Sequence, residues 1–124
     1  MTDANRSLYE KLGVKADEHV AYVGPRDSAF LLELNARLQM AASETLRTDY
    51  DMIFVRLDTP DDLPHVADAV KHLRPTGTMW IGYPKTGTPS ADDVRAAGRA
   101  AGLTGHETCI VTDTHNATRF TPSP

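Results

Sequence analysis

Short runs of consecutive apolar residues recur along this chain, separated by longer polar stretches. Residues 20–23 (VAYV), 53–55 (IFV) and 79–81 (MWI) are each continuously apolar, and each run is followed within a few residues by Gly, Pro or Asp. Continuous apolar runs of this length are typical of strands that are covered on both faces of a sheet. The pattern therefore predicts three buried strands, and we expect them to lie side by side.

Apolar residues with helical spacing fill the stretches between these strands. A helix that begins at Asp27 or Ser28 is predicted from apolar residues three and four positions apart, which continue to Ala41. Thr59 and Ser90 each precede acidic residues, as helix N-caps commonly do, and so predict the start of two further helices. The apolar faces of these helices are Phe30, Leu34, Leu38 and Ala41; Leu63, Val66, Val70 and Leu73; and Val94, Ala97, Ala101 and Leu103.

The two ends of the chain complete the predicted fold. A short helix is expected within residues 1–17, and two β-prone runs around residues 113–116 predict a closing hairpin, with residues 118–124 forming the last strand and a frayed tail. Residues 42–48 suit either a short strand or an extension of the preceding helix. Alternating strands and helices predict a single α/β domain over residues 1–124. We expect it to be a three-layer, doubly wound, mostly parallel sheet with a C-terminal antiparallel hairpin.

Composition narrows the possible functions. The 124 residues carry 13 basic and 17 acidic side chains, so the net charge of −4 gives no expectation of a nucleic-acid partner. The chain has no apolar run long enough to span a membrane and no signal-peptide pattern at its start. Cys109 is the single cysteine, so no intrachain disulfide is expected. These features predict a cytoplasmic protein with no membrane partner.

Two segments resemble parts of class I methyltransferases, which depend on S-adenosylmethionine. Residues 73–82 (LRPTGTMWIG) are similar to the turn that leads into the fifth strand of those enzymes, and residues 50–57 (YDMIFVRL) to their fourth strand. The closing hairpin resembles their reversed last strand. The resemblance implies a shortened methyltransferase-like Rossmann fold with strand order 2-1-4-5-7-6 in methyltransferase numbering. It also implies a cofactor site above the carboxyl ends of the strands.

Other segments resemble a family of small bacterial proteins of unknown function. The matching segments are residues 12–15 (LGVK), 20–23 (VAYV), 79–85 (MWIGYPK) and 108–115 (TCIVTDTH). Tyr83 and His115 stand where that family has tryptophan. This resemblance implies the same fold and brings no established activity.

The expected topology predicts a crevice at the carboxyl edge of the sheet, where doubly wound folds bind ligands. Lys85 and Thr86 offer a cation and a hydroxyl for an anionic or nucleotide-like group, and Tyr83 offers an aromatic wall. The predicted ligand-binding residues are Gly24, Arg26, Asp27, Ser28, Asp58, Thr59, Tyr83, Lys85 and Thr86.

The sequence also counts against methyltransferase chemistry. The loop after the first strand has one glycine, and its Pro25 lacks an N–H. Glu44 and Asp49 are both imperfect candidates for the acid that binds ribose hydroxyls, because Glu44 is expected in mid-strand and Asp49 beyond the strand. The chain is too short to contain the third strand of class I methyltransferases and the helix that accompanies it. His106 and Cys109 are expected on opposite faces of a strand, which argues against a metal site.

These arguments favour a non-catalytic module that binds an unidentified small molecule or protein. They assign no catalytic residue, no metal and no cofactor. One alternative is a methyltransferase that uses S-adenosylmethionine. The other is a structural homo-oligomer in which a second copy covers a sheet edge or face.

Overall fold

The apolar runs of the sequence are the inner strands of one mixed sheet. A computed structural model describes residues 8–124, with five strands and four α-helices. In chain order the elements are α1 (Leu8–Leu12), β1 (Val20–Val23), α2 (Ser28–Asn35), β2 (Tyr50–Arg56), α3 (Pro64–Val70), β3 (Leu73–Pro84), α4 (Ala91–Ala100), β4 (Leu103–Ile110) and β5 (His115–Pro122). A short 3-10 turn (Pro60–Asp62) precedes α3.

The strand order is β1-β2-β3-β5-β4, in which β1, β2 and β3 are parallel and β5 is antiparallel to both of its neighbours. Outside β1, Ser43 forms a single parallel bridge with Ala21. This bridge occupies the place of a second methyltransferase strand. The expected order is therefore confirmed, with that strand reduced to one residue.

Helices cover both faces of the sheet and divide its core into two clusters. On one face, α1 and α2 pack on aromatic residues, which include Tyr22, Phe54 and Trp80. On the other face, α3 and α4 pack on aliphatic residues, which include Ile53, Val55 and Ile81. Alternate residues of β2 point to opposite clusters, which explains why its apolar run is continuous. The three-layer α/β fold is thus confirmed.

The start of β3 differs from the prediction. The sequence pattern places Leu73 on the face of a helix and residues 73–82 in a turn that leads into the next strand, but β3 already begins at Leu73, which pairs with Tyr50. The register between β2 and β3 shifts after Tyr50, and Pro75 falls within this irregular stretch. A Cβ on Gly77 would lie 2.9 Å from the carbonyl oxygen of Asp51, so the close approach of the two strands requires glycine there.

Three further segments depart from the expectations. Helix α2 ends at Asn35, so Leu38 lies in the following turn, and residues 42–48 form neither a regular strand nor a helix beyond the bridge at Ser43. Both hairpin strands begin earlier than predicted, and the tail remains paired because the Ser123 N–H donates to the Gly102 carbonyl at 2.9 Å. Ser7 and Glu10 match a capping box for the expected N-terminal helix, and Ser7 lies outside the described residues. Within residues 8–124, no helix is long and apolar enough to cross a bilayer.

Candidate functional site

The carboxyl ends of β1, β2 and β3 meet at one edge of the sheet, and the loop after β1 lies tightly against β2. Gly24 has a φ of +104°, and a Cβ on it would overlap the carbonyl oxygen of Arg56. Glycine is therefore required for this loop to reach the neighbouring strand. The loop brings residues 24–28 to the end of β2.

Arg56, the last residue of β2, joins two carboxylates at this edge. Its Nη1 donates to Asp27 Oδ2 and its Nε donates to Asp58 Oδ1, both at 2.9 Å. The other oxygen of Asp27 accepts from the Phe30 N–H at 3.0 Å and caps α2. The Arg56 side chain is 19% exposed, so water screens these ion pairs only in part.

His115, the first residue of β5, contacts the same carboxylate. Its Nε2 lies 2.9 Å from Asp58 Oδ1 and 3.2 Å from the Leu57 carbonyl, and its Nδ1 lies 2.9 Å from the Thr114 hydroxyl. Because both contacts of Nε2 are to acceptor oxygens, we place a proton on Nε2. Asp58 Oδ1 is thus fixed from two sides.

Tyr22 holds the loop after β1 through a hydrogen bond to its backbone. Its hydroxyl donates to the Pro25 carbonyl at 2.6 Å, and its ring stacks on Phe54 with centroids 5.8 Å apart. Burial raises the pKa of Tyr22 to about 12, against a smaller lowering by Arg56. The phenol is therefore a neutral donor that holds the loop.

The raised pKa of Tyr22 gives a testable pH dependence. The unfolded chain releases this phenolic proton near pH 10, before the folded protein does, so stability should fall between pH 10 and 12. The slope from this group is at most about 1.4 kcal/mol per pH unit. Urea unfolding at pH 9 and pH 11 should show a smaller loss for Tyr22→Phe than for the wild type. The remaining loss is expected in part from Tyr9, whose pKa burial also raises. Equal losses in the two proteins would contradict this role of Tyr22.

Arg26 connects the β1 loop to Glu44, the residue after the Ser43 bridge. Its Nε donates to Glu44 Oε1 at 2.9 Å and its Nη1 donates to Ser28 Oγ at 2.8 Å. Glu44 directly follows Ser43, so it lies at the carboxyl end of the one-residue strand rather than in mid-strand. Its side chain is 47% exposed, and a ligand that reaches this carboxylate competes with Arg26.

The structure brings together the predicted residues of the β1 loop (Gly24, Arg26, Asp27 and Ser28) and Asp58. Thr59 lies in a turn in which the Asp62 carboxylate accepts from the backbone N–H groups of Asp58 and Thr59, at 2.8 and 3.1 Å. This turn gives residues 58–61 a structural role.

Among residues 8–124, the other predicted residues share no hydrogen bond or ion pair with this group. Tyr83 is 4% exposed in the core beneath α3 and α4, and its hydroxyl accepts from Thr118 at 3.4 Å, so it forms no ligand wall. The side chains of Lys85 and Thr86 are exposed on a loop that is anchored by the Lys85 N–H to the Thr114 carbonyl at 2.9 Å. An anion contact at Lys85 stays a prediction.

Sequence reasoning missed Arg56 and His115 and misplaced Glu44. A charged residue at the end of an apolar strand was the available signal for Arg56, since such a position opens onto the carboxyl edge. His115 was assigned to a hairpin turn, and only its place in β5 brings it against Asp58. No group of three or more His, Cys, Asp or Glu side chains among residues 8–124 is arranged to hold a metal ion.

The strand order, the helices on both faces and the carboxyl-edge loops define a methyltransferase-like Rossmann fold. Solved structures share it. Magnesium protoporphyrin IX methyltransferase from Synechocystis, solved with S-adenosylmethionine bound, is similar with a TM-score of 0.70 at 10% identity, over 92% of this chain and 74% of that chain. A S-adenosylmethionine-dependent methyltransferase from Aquifex aeolicus is similar with a TM-score of 0.65 at 13% identity, over 91% and 86%.

A TehB-like methyltransferase from Corynebacterium glutamicum bears on chain length. It is similar with a TM-score of 0.59 at 14% identity, over 97% of this chain and 91% of that chain. This chain therefore spans most of a structure that is described as a methyltransferase. No protein-family model matches the sequence, and no curated protein matches it. Membership in the small bacterial family stays a prediction.

These comparisons overturn the expected function. The prediction of a non-catalytic binding module is wrong, because the similar structures are S-adenosylmethionine-dependent methyltransferases that share most of this chain's fold. Magnesium protoporphyrin IX methyltransferase is solved both with S-adenosylmethionine and with S-adenosylhomocysteine bound, and the second structure is similar to this chain with a TM-score of 0.69. These structures favour the alternative prediction, a methyltransferase that uses S-adenosylmethionine.

Proposed function

We propose that this protein is a methyltransferase that uses S-adenosylmethionine, with the cofactor lying across the carboxyl ends of β1 and the Ser43 bridge. The main observation that supports the proposal is the position of Glu44 at the carboxyl end of the one-residue strand. It directly follows the bridge residue, and Arg26 links it to the β1 loop at 2.9 Å. An acidic residue at the end of the second strand is suited to accept hydrogen bonds from ribose hydroxyls.

The charges at the carboxyl edge suit a cationic ligand. Asp27 and Asp58 contribute two negative charges and Arg56 contributes one positive charge, so these three side chains together carry a net charge of −1. When bound, S-adenosylmethionine supplies a methyl group on a positively charged sulfur. A net negative cluster attracts that charge, and its fixed geometry avoids reorganisation when the ligand binds.

Asp58 is the residue best placed to meet the group that receives the methyl. Its Oδ1 is held by Arg56 and His115, and within residues 8–124 no hydrogen bond reaches its Oδ2. The side chain is 37% exposed at the end of β2. It therefore presents an oriented acceptor oxygen that can align an N–H or O–H donor.

Glu44→Gln tests the proposed cofactor site. The substitution keeps the shape of the side chain and removes its negative charge, so affinity for S-adenosylhomocysteine should fall about tenfold, the value of one charge-assisted hydrogen bond. Isothermal titration calorimetry measures it. The wild type is expected to bind with a Kd below about 100 μM, which is roughly −5.5 kcal/mol.

Glu33→Gln is the matched control. Glu33 is exposed on α2, where it pairs with Arg37 at 3.4 Å, and it is not part of the carboxyl-edge group. This variant should bind like the wild type. Wild-type protein without measurable affinity would overturn the proposed function, and equal weakening by both substitutions would remove Glu44 from the site.

A further inference from the structure

A polar cavity lies at the opposite edge of the sheet from the proposed cofactor site. It is open to solvent, has a volume of about 300 Å³, and lies between the last turns of α4, the beginning of β4 and the end of β5. Because β5 runs antiparallel to β3, its end lies away from the carboxyl edge. The polar lining consists of Arg95, Arg99, Thr104 and Ser123, and Gly105 and Phe120 contribute further surface.

Among the described residues, neither arginine of this cavity has an acidic partner, a property that they share with Arg47. Within residues 8–124, neither Arg95 nor Arg99 has a carboxylate within 4.0 Å, whereas Arg26, Arg37, Arg56, Arg74 and Arg119 each have at least one. Arg95 and Arg99 are four residues apart on one helix, and like charges at that spacing repel each other. In a chain of net charge −4, this is a local excess of positive charge.

The cavity also holds its polar groups in place. Arg95 Nη1 lies 2.9 Å from where a Cβ on Gly105 would stand, so the missing side chain leaves room for the guanidinium against β4. Its Nη2 donates to the His106 carbonyl at 3.4 Å. The hydroxyls of Thr104 and Ser123 lie 2.8 Å apart on the lining, and either can turn its proton outward.

The helix dipole accounts for only one of the two arginines. Arg99 lies in the last turn of α4, where a positive charge interacts favourably with the helix dipole. Arg95 lies one turn earlier, beyond the reach of that effect, which falls off within the last turn. Arg95 instead donates to the His106 carbonyl, and both guanidinium groups line one cavity, where a single ligand can contact both.

We propose that this cavity binds a phosphate group. Two guanidinium groups and two hydroxyls offer a dianionic, tetrahedral ligand several donors, and guanidinium is well matched to phosphate oxygens. The site is independent of the proposed methyltransferase activity, because it shares no residue with the carboxyl edge.

Phosphate titration followed by NMR tests this site. Inorganic phosphate is added to the full chain against chloride at equal ionic strength, and the backbone amides of residues 95–105 and the arginine Nε–H signals are recorded. We expect saturable shifts around Arg95, Thr104 and Ser123, with a Kd on the order of 1 mM. Arg99→Gln should raise the Kd at least fivefold.

Arg47→Gln is the matched control. Arg47 also lacks a carboxylate partner within residues 8–124, is exposed, and donates to the Thr45 hydroxyl outside the cavity. It should leave the Kd unchanged. Absence of saturation at 50-fold the expected Kd would overturn the proposal, as would equal effects of Arg47→Gln and Arg99→Gln, which would show general charge screening. If Arg99→Gln unfolds, Arg95→Lys replaces it, and an unchanged Kd there also contradicts the site.

Discussion

Gly24→Ala is expected to destabilise the protein by about 3–5 kcal/mol, the largest effect of any single methyl group at the site. The substitution adds a side chain where φ is +104°, and the new Cβ would overlap the Arg56 carbonyl oxygen. Backbone cannot move aside as a flexible side chain can, so the β1 loop must separate from β2. Urea unfolding measures the loss.

Gly87→Ala separates backbone strain from the steric overlap. Gly87 has a φ of +85°, and a Cβ there would meet no atom within 4 Å. Its replacement should therefore cost only the conformational strain of about 1–2 kcal/mol. Similar losses for the two variants would contradict the close contact between the β1 loop and β2.

Arg56→Met is expected to cost about 2–3 kcal/mol, because it leaves Asp27 and Asp58 facing each other without a cation. Truncating one partner of a fully buried ion pair costs more, but these side chains are partly exposed and water reduces the penalty. Thermal and urea unfolding measure the change. Methionine keeps most of the apolar stem, so the loss reports on charge rather than packing.

Arg74→Met provides the comparison for this variant. Within residues 8–124, Arg74 has one carboxylate partner, Asp51, at 2.8 Å, and its side chain is 42% exposed. A surface ion pair of this kind contributes about 0–1 kcal/mol. If Arg74→Met were as destabilising as Arg56→Met, the carboxyl-edge cluster would have no special role in holding the loop.

The sheet could be predicted because a strand covered on both faces needs apolar residues at consecutive positions, and this requirement is visible within a short stretch of sequence. A strand such as β2 must be apolar on both faces, and that requirement is visible as consecutive Ile53, Phe54 and Val55. The start of β3 was missed for the opposite reason. Pro75 and Gly77 favour a break when read locally, whereas in the structure pairing of Leu73 with Tyr50 carries the strand through them.

The site was predicted less completely, because it depends on contacts between distant parts of the chain. The β1 loop and Asp58 were found from their places after strands. Arg56 and Asp27 are 29 residues apart and His115 and Asp58 are 57 apart, and no spacing rule connects them. Glu44 was seen as an acid but assigned to mid-strand, since the reduction of the strand to Ser43 leaves no mark in the sequence.

The short chain was the main argument against an enzyme, and it no longer holds. The third strand is indeed missing beyond the Ser43 bridge in residues 8–124, as expected. Yet the structure from Corynebacterium glutamicum described as a methyltransferase is covered to 91% by this chain. Length alone therefore does not distinguish a binding module from a methyltransferase.

The most direct test of the proposed function is a crystal structure of the protein with S-adenosylhomocysteine. The account predicts the ligand at the carboxyl edge, with Glu44 within hydrogen-bond distance of the ribose hydroxyls and Arg26 displaced from it. The sulfur should lie nearer to the cluster of Asp27, Arg56 and Asp58 than to any other charged group. Ligand bound elsewhere, or bound at this edge with the Arg26–Glu44 pair intact, would contradict it.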